Sequence, residues 1–262
     1  MRAPVSDPAE LEVEGLTVSF GGLVAVSDVS LHARAGTVTG LIGPNGAGKT
    51  TTFNACTGFV TPAAGVVRLD GRSLGQHTPS WRARAGLGRT FQRMVLADTM
   101  TVAQNVALGL ECRLASHGCR GQLWASRRER RYCTEAAEEA MDRCGIAGLA
   151  GSSAGDLSTG QRRLVELARA LAGRFRFLLL DEPSSGLDEA ETEAFGRILL
   201  DVTRRDGTGI LLVEHDMALV RQVCRYAYVL DFGKLVFQGV TAEVMASDVV
   251  GAAYLGSQAG VA

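Results

Sequence analysis

The period of hydrophobic and polar positions changes several times along the chain, and each change marks an element. Residues 11–20 and 24–33 alternate between apolar and polar, the period of a half-buried strand, with Gly21-Gly22 as the turn between them. Residues 37–42 form a short apolar run that enters a glycine loop, and residues 49–56 continue as a helix. GVVRLDG, at 65–71, reads as another strand with its turn. From about Thr101 to Gly155 the period becomes helical. Cys133, Ala136, Ala137, Ala140, Met141 and Cys144 mark one face of a helix, and its upstream end is the basic run RRERR at 127–131. That run reads as a solvated face, with contact to nucleic acid or lipid as the alternative.

The second half is more regular. FLLLDEP (177–183) is a continuous apolar strand of the kind buried on both faces of a parallel sheet. A helix, the strand GILLVEH (209–215) and another helix follow. YAYVLDFGKLVFQG then gives two strands around a turn. This strand–helix alternation predicts an α/β core with a parallel sheet. There is no internal repeat, low-complexity tract or long linker, and the end of the chain from about Ser257 reads as a loose tail.

Composition narrows the class of function. At 262 residues the chain can bury one large core or two small ones. Its net charge of −1 gives no bulk attraction for nucleic acid. No apolar run approaches the roughly 20 residues of a membrane span, and the N-terminus has no apolar signal core, so export is not expected. The cysteines at 56, 112, 119, 133, 144 and 224 form no C-x-x-C pair and are expected to be reduced thiols; His117 and Cys119 lie close but lack a second ligand pair for zinc.

Candidate chemistry begins with GPNGAGKT, at 43–50, which fits G-x-x-x-x-G-K-[ST] between a buried strand and a helix. In the loop Gly43, Pro44, Asn45, Gly46, Ala47 and Gly48, the glycines would let backbone N–H groups turn inward around phosphate oxygens, with help from the following helix N-terminus. Lys49 would reach the β- and γ-phosphates, and the Thr50 hydroxyl would ligate Mg2+. Asp181, at the end of FLLLDEP, supplies a second anchor for the metal, and Glu182 beside it is placed to polarise an attacking water. DFG at 231–233 lacks the H-R-D loop of a kinase and reads as a hairpin turn. His215-Asp216 lacks companion metal ligands.

DLSTGQRRLVELARALAG (156–173) poses a further question. Ser158 and Gln161 make a capping box, and Leu164, Leu167, Ala168 and Leu171 give the helix an inward face. That accounts for a well-started helix. It also describes a second anion site in a chain that already has a phosphate loop.

The order GPNGAGKT, TFQ (90–92), LSTGQ (157–161), LLLDEP, SGLD (185–188) and His215 resembles the ATP-binding cassette family over nearly the whole chain. The resemblance implies a P-loop (RecA-like) ATPase core, an antiparallel β subdomain and an inserted helical subdomain. It implies a cassette over 9–257, with the helical part at about 93–160 and a tail at 258–262. It further implies two cassettes dimerised head to tail around two ATP molecules with Mg2+, each ATP held by one subunit's phosphate loop, continued by Thr51, and the other's signature. By this resemblance Leu157, Ser158, Thr159, Gly160 and Gln161 are that signature, serving the partner's nucleotide. Family members usually have glycine where this chain has Thr159; the backbone N–H is retained, and the branched side chain, which could crowd the incoming phosphate or slow dimer closure, is expected to be tolerated. Phe20 matches the aromatic that stacks on adenine. Gln92 matches the glutamine that senses Mg2+ and water, His215 the switch histidine, and Asp188 the loop that reaches across the dimer.

GLGRTFQRMVLADTMTVAQNVALG and VVGAAYLGS are similar to stretches in ATPases of branched-chain amino-acid importers. That style is shared by amide and urea importers and by some lipopolysaccharide-exporting ATPases. The importer resemblance implies integral membrane permease subunits, a solute-binding protein and a peripheral place on the cytoplasmic face of the cell membrane, with no nucleic-acid partner. Cassettes that act on DNA or ribosomes usually carry a coiled coil or a second cassette, and neither is present here. A regulatory, non-catalytic cassette is opposed by the intact Lys49, Asp181, Glu182 and His215.

Overall fold

A computed structural model describes residues 10–92, 95–114 and 127–256. Its strands form two sheets. The first is antiparallel, with β1 (Glu10–Phe20), β2 (Leu23–Arg34), β4 (Ala64–Leu69) and β5 (Arg72–Ser73) in the order β2-β1-β4-β5. The second contains β3 (Val38–Ile42), β6 (Leu87–Arg89), β7 (Phe177–Asp181), β8 (Gly209–Val213), β9 (Cys224–Asp231) and β10 (Lys234–Val240) in the order β10-β9-β3-β8-β7-β6. All neighbours in it are parallel except β9 and β10, the hairpin turned at Phe232-Gly233.

The continuous apolar runs in the sequence follow from two-sided burial. Successive side chains on a strand point to opposite faces, so a sheet covered on both sides needs apolar residues at both. In β7, Phe177 and Leu179 join one core and Leu178 and Leu180 the other. In β8, Leu211 and Val213 separate from Ile210 and Leu212 in the same way. The first core contains the inner face of the antiparallel sheet and Phe53, Ala55 and Cys56 of α1 (Lys49–Thr57). The second holds the remaining long helices: α3 (Val102–Leu114), α4 (Arg127–Arg143), α5 (Thr159–Ala172) and α6 (Glu189–Asp206).

The predicted face of α4 is buried as expected, while Arg127, Arg128, Arg130 and Arg131 are exposed. Cys56, Cys133, Cys144 and Cys224 are buried free thiols, and burial pushes Cys56 and Cys144 up to about 12. His117, Cys119 and the tail lie outside the described residues.

Several elements carry weaker sequence signals. These are α2 (Pro79–Ala85), β6, α7 (Met217–Val223), α8 (Thr241–Ala246) and α9 (Asp248–Gly256). Arg82 explains how α2 is fixed. Its buried guanidinium donates to the Ala55 and Cys56 carbonyls at 2.8 and 2.6 Å, capping the end of α1.

Candidate functional site

Residues 43–48 connect β3 to α1. Two glycines permit their path. Gly43 has φ 145°, and a Cβ there would collide with the Leu230 carbonyl oxygen. Gly48 has φ 101°, and a Cβ there would stand 2.8 Å from the Ala25 carbonyl oxygen. The loop is pinned by Ala47 N–H to the Pro44 carbonyl at 3.2 Å and by Gly233 N–H to the Ala47 carbonyl at 3.1 Å. From α9, the Tyr254 hydroxyl accepts the Gly43 N–H at 2.8 Å, and burial pushes this phenol up to about 12.

Lys49 opens α1, and its Nζ donates to the Gly43 and Pro44 carbonyls at 2.6 and 2.9 Å. Burial holds this amine below its ordinary value, against the opposing pull of Glu182 and Asp181. The start of α1 has neither an acidic residue in its first turn nor a side-chain cap. Its first N–H groups are thus available to an anion, which the helix dipole also favours. Asn45, Gly46, Ala47, Gly48, Lys49, Thr50 and Thr51 line a cleft of about 370 Å3 together with Gln92, Glu182 and the apolar Leu23, Val24 and Phe232.

β7 brings the two acids to this edge of the sheet. Asp181 is 1% exposed. Its Oδ2 accepts from Arg89 Nη2 at 3.0 Å, whereas Oδ1 is buried with no hydrogen-bond partner. Burial raises this carboxyl above its usual value despite Arg89. A buried carboxylate oxygen without a donor suits a hard cation, for which the Thr50 hydroxyl and the Gln92 amide oxygen are chemically matched further ligands.

Glu182 has φ 48°, a strained conformation for a residue with a side chain. Its Oε2 accepts from Gln92 Nε2 at 2.8 Å. His215 Nδ1 stands 3.9 Å from the same oxygen, beyond hydrogen-bond reach. Three of the sequence-predicted residues therefore converge at one carboxylate. Glu214, passed over in the sequence, supports them. It is fully buried and accepts the N–H groups of Ser184, His215 and Asp216 at 2.9, 3.1 and 3.4 Å, joining the turn after Glu182 to the turn that carries His215. The available signal was an acid directly after the apolar run of β8.

Other predicted residues stand elsewhere. Phe20 is 51% exposed at the end of β1, outside the cleft lining. The exposed aromatic on that lining is Phe232, at the tip of the hairpin. Residues 157–161 also lie outside the cleft lining. Ser158 Oγ accepts the Gln161 N–H at 3.2 Å and Gln161 Oε1 accepts the Ser158 N–H at 3.0 Å, completing the expected capping box. The methyl of Thr159 lies against Gly186, and Gly160 lies under the Glu191 carboxylate, where a Cβ would collide. Asp188 caps α6 in a second box, accepting the Glu191 N–H at 2.8 Å.

Residues 26–185 match the family model described as ABC transporter. The chain belongs to the ABC transporter family. It is 38% identical over 249 residues to the high-affinity branched-chain amino acid transport ATP-binding protein BraF of Pseudomonas aeruginosa, covering 94% of this chain and 97% of that protein. It is 35% identical over 248 residues to the lipopolysaccharide export system ATP-binding protein LptB of Haemophilus influenzae, covering 95% and 98%. Among solved structures, the ADP conformation of an ABC transporter's ATP-binding cassette matches with a TM-score of 0.82 at 28% identity, covering 95% of this chain and 99% of that one. This ABC protein is an ATP-binding ATPase.

Proposed function

We propose that this cassette powers the import of branched-chain or related amino acids by hydrolysing ATP between two cassettes. The observation that carries this reading is the 38% identity to BraF over nearly the whole of both chains. The cassette spans 9–257, with a helical part at about 93–160.

In this reading residues 43–51 wrap the β- and γ-phosphates, with the backbone N–H groups of Asn45, Gly46 and residues 48–51 and the Lys49 ammonium as donors, and Phe20 stacks on adenine. Thr50, Asp181 and Gln92 hold Mg2+, which neutralises phosphate charge when bound. Glu182 takes a proton from the attacking water, with Gln92 and His215 orienting it. The second cassette contributes its Leu157–Gln161 signature to the γ-phosphate, and Asp188 reaches across the interface. Permease subunits hold this cassette at the cytoplasmic face; among the described residues no helix is long and apolar enough to cross a membrane. A solute-binding protein delivers the amino acid.

The test is co-expression with candidate permeases, followed by identification of co-purifying subunits and measurement of ATP turnover in liposomes. Stimulation by a leucine-loaded binding protein is expected. Co-purification with lipopolysaccharide-export permeases, for which the 35% identity to LptB provides grounds, would replace the import reading.

A further inference from the structure

Arg89 ends β6, three residues before Gln92, and the fold encloses it. Its side chain is 6% exposed. Nη1 donates to Asn54 Oδ1 at 2.7 Å and Thr57 Oγ1 at 3.1 Å, both on α1. Nη2 donates to Asp181 Oδ2 at 3.0 Å. The guanidinium carbon lies 5.6, 5.9 and 5.0 Å from the ring centres of Phe53, Phe59 and Phe91. A buried ion pair gains little net stability, because desolvation offsets the attraction. Apolar side chains in place of both members of the pair would fill the same space among three phenylalanines at no greater cost.

The geometry assigns the pair a different role. A carboxylate has two oxygens, and Arg89 engages one of them, leaving Oδ1 of Asp181 buried and without a donor. The other end of the guanidinium is tied to α1, whose first turn carries Thr50. We infer that Arg89 is a positioning residue for the divalent metal. It fixes the Asp181 carboxylate so that Oδ1 is the oxygen presented, and it ties that orientation to the helix that supplies the Thr50 hydroxyl. Both halves of the ligand set are then referred to one rigid element. The role is distinct from that of Gln92, whose contact with Glu182 is exposed. It rests on the reading of Asp181 as a metal ligand.

The test measures metal binding separately from turnover. Arg89→Met keeps an unbranched stem among the rings and removes the fork. With the full chain and a non-hydrolysable ATP analogue, Mn2+ binding is followed through loss of the free-ion signal in electron paramagnetic resonance. Analogue affinity is measured again in excess EDTA. Removing a group that orients a metal ligand typically costs 10–100-fold in metal affinity, so a loss of about that size is expected, with metal-free affinity within about twofold of wild type. Wild-type Mn2+ affinity in Arg89→Met overturns the inference. So does an equal loss with and without metal, which would make Arg89 a support of the phosphate loop alone. Arg89→Lys keeps the charge but cannot serve α1 and Asp181 together, and a loss of several-fold is expected. If Arg89→Met does not fold, Arg89→Lys decides the matter, and unchanged Mn2+ affinity in it counts against positioning. Failure of the wild-type protein to take up Mn2+ with the analogue would instead remove the metal assignment itself.

Discussion

Glu182→Gln separates the chemistry of the site from its architecture. Glu182 accepts a hydrogen bond from Gln92 at 2.8 Å, and the amide oxygen of a glutamine can accept the same bond. The contact to His215, at 3.9 Å, is too long to be a hydrogen bond that the substitution would break. The strained φ of 48° is a property of the backbone, and glutamine meets it with a side chain of the same shape. Fold stability should therefore change by less than about 0.5 kcal/mol, the usual range for a substitution that breaks no packed or paired group. What disappears is the carboxylate proposed to take the proton from water. A positioned general base contributes roughly 10²–10⁴-fold to rate. At about 1.4 kcal/mol per factor of ten, the barrier should rise by about 3–5 kcal/mol.

Phosphate release under saturating Mg·ATP gives the rate, thermal melting gives the stability, and titration with ATP gives the binding. The expected combination is a fall of at least a hundredfold in rate with melting and binding unchanged. Turnover within threefold of wild type would place the base elsewhere. A rate loss accompanied by an equal loss of ATP affinity would assign Glu182 to binding and leave the general-base argument without support.

Three further perturbations test the loop and the signature. Burial holds Lys49 below its ordinary value of 10.5, so the unfolded chain binds that proton more tightly. The charge thus weighs on the fold at neutral pH and relaxes as pH rises through the lowered value toward 10.5. Urea melts at a series of pH values rising from neutral toward 10.5 should show wild type gaining stability relative to Lys49→Met, and parallel curves would refute the burial argument. Lys49→Met should also lose tight Mg·ATP binding by calorimetry. Gly43→Ala meets both a φ of 145° and the Leu230 carbonyl. It should cost at least the ~1–3 kcal/mol of a strained backbone in denaturant melts, and wild-type stability would contradict the loop geometry. Thr159→Gly should leave ATP-driven dimerisation of a Glu182→Gln background equal or improved, apart from a few tenths of a kcal/mol in helix propensity. Clear loss on a sizing column would mean that the methyl packed on Gly186 is needed.

The parts legible in the sequence were those that a local rule determines. Strands buried on both faces must be apolar throughout, so residues 177–181 and 209–213 announced themselves. The capping box at Ser158 and Gln161 and the hairpin at Phe232-Gly233 follow from short-range chemistry, and both stand where expected. The parts that escaped depend on partners far away in the chain. β6 has three residues and is held by pairing with β7. The buried Arg82 and Arg89 look like any surface arginine until α1 and Asp181 are brought to them. Glu214 acquires its meaning from Ser184, thirty positions upstream. Tyr254 sits in a C-terminal helix whose sequence gives no hint that its hydroxyl meets Gly43.

The two helix starts show why one anion-binding principle leads to two different sequences. α1 begins after glycine with no side-chain cap and no acid. Among the described residues no side chain caps its first N–H groups, and Lys49 adds a cation beside them. Such a start is weak as a helix N-terminus and strong as a phosphate cradle. α5 begins with a complete box that uses the Ser158 and Gln161 N–H groups internally. That leaves the N–H groups of Thr159 and Gly160, at the first two helical positions, without intrahelical partners. This start is stable on its own, which suits the proposed reading of a site that meets its phosphate only when a second subunit arrives. It also has less to offer, so side-chain bulk at its tip matters more. Thr159 occupies that tip, with its methyl turned against Gly186 within its own chain. Thr159 is exposed, but its methyl is directed toward Gly186, so the branch at this position need not obstruct the approach that a glycine would leave open. The Thr159→Gly comparison measures that distinction.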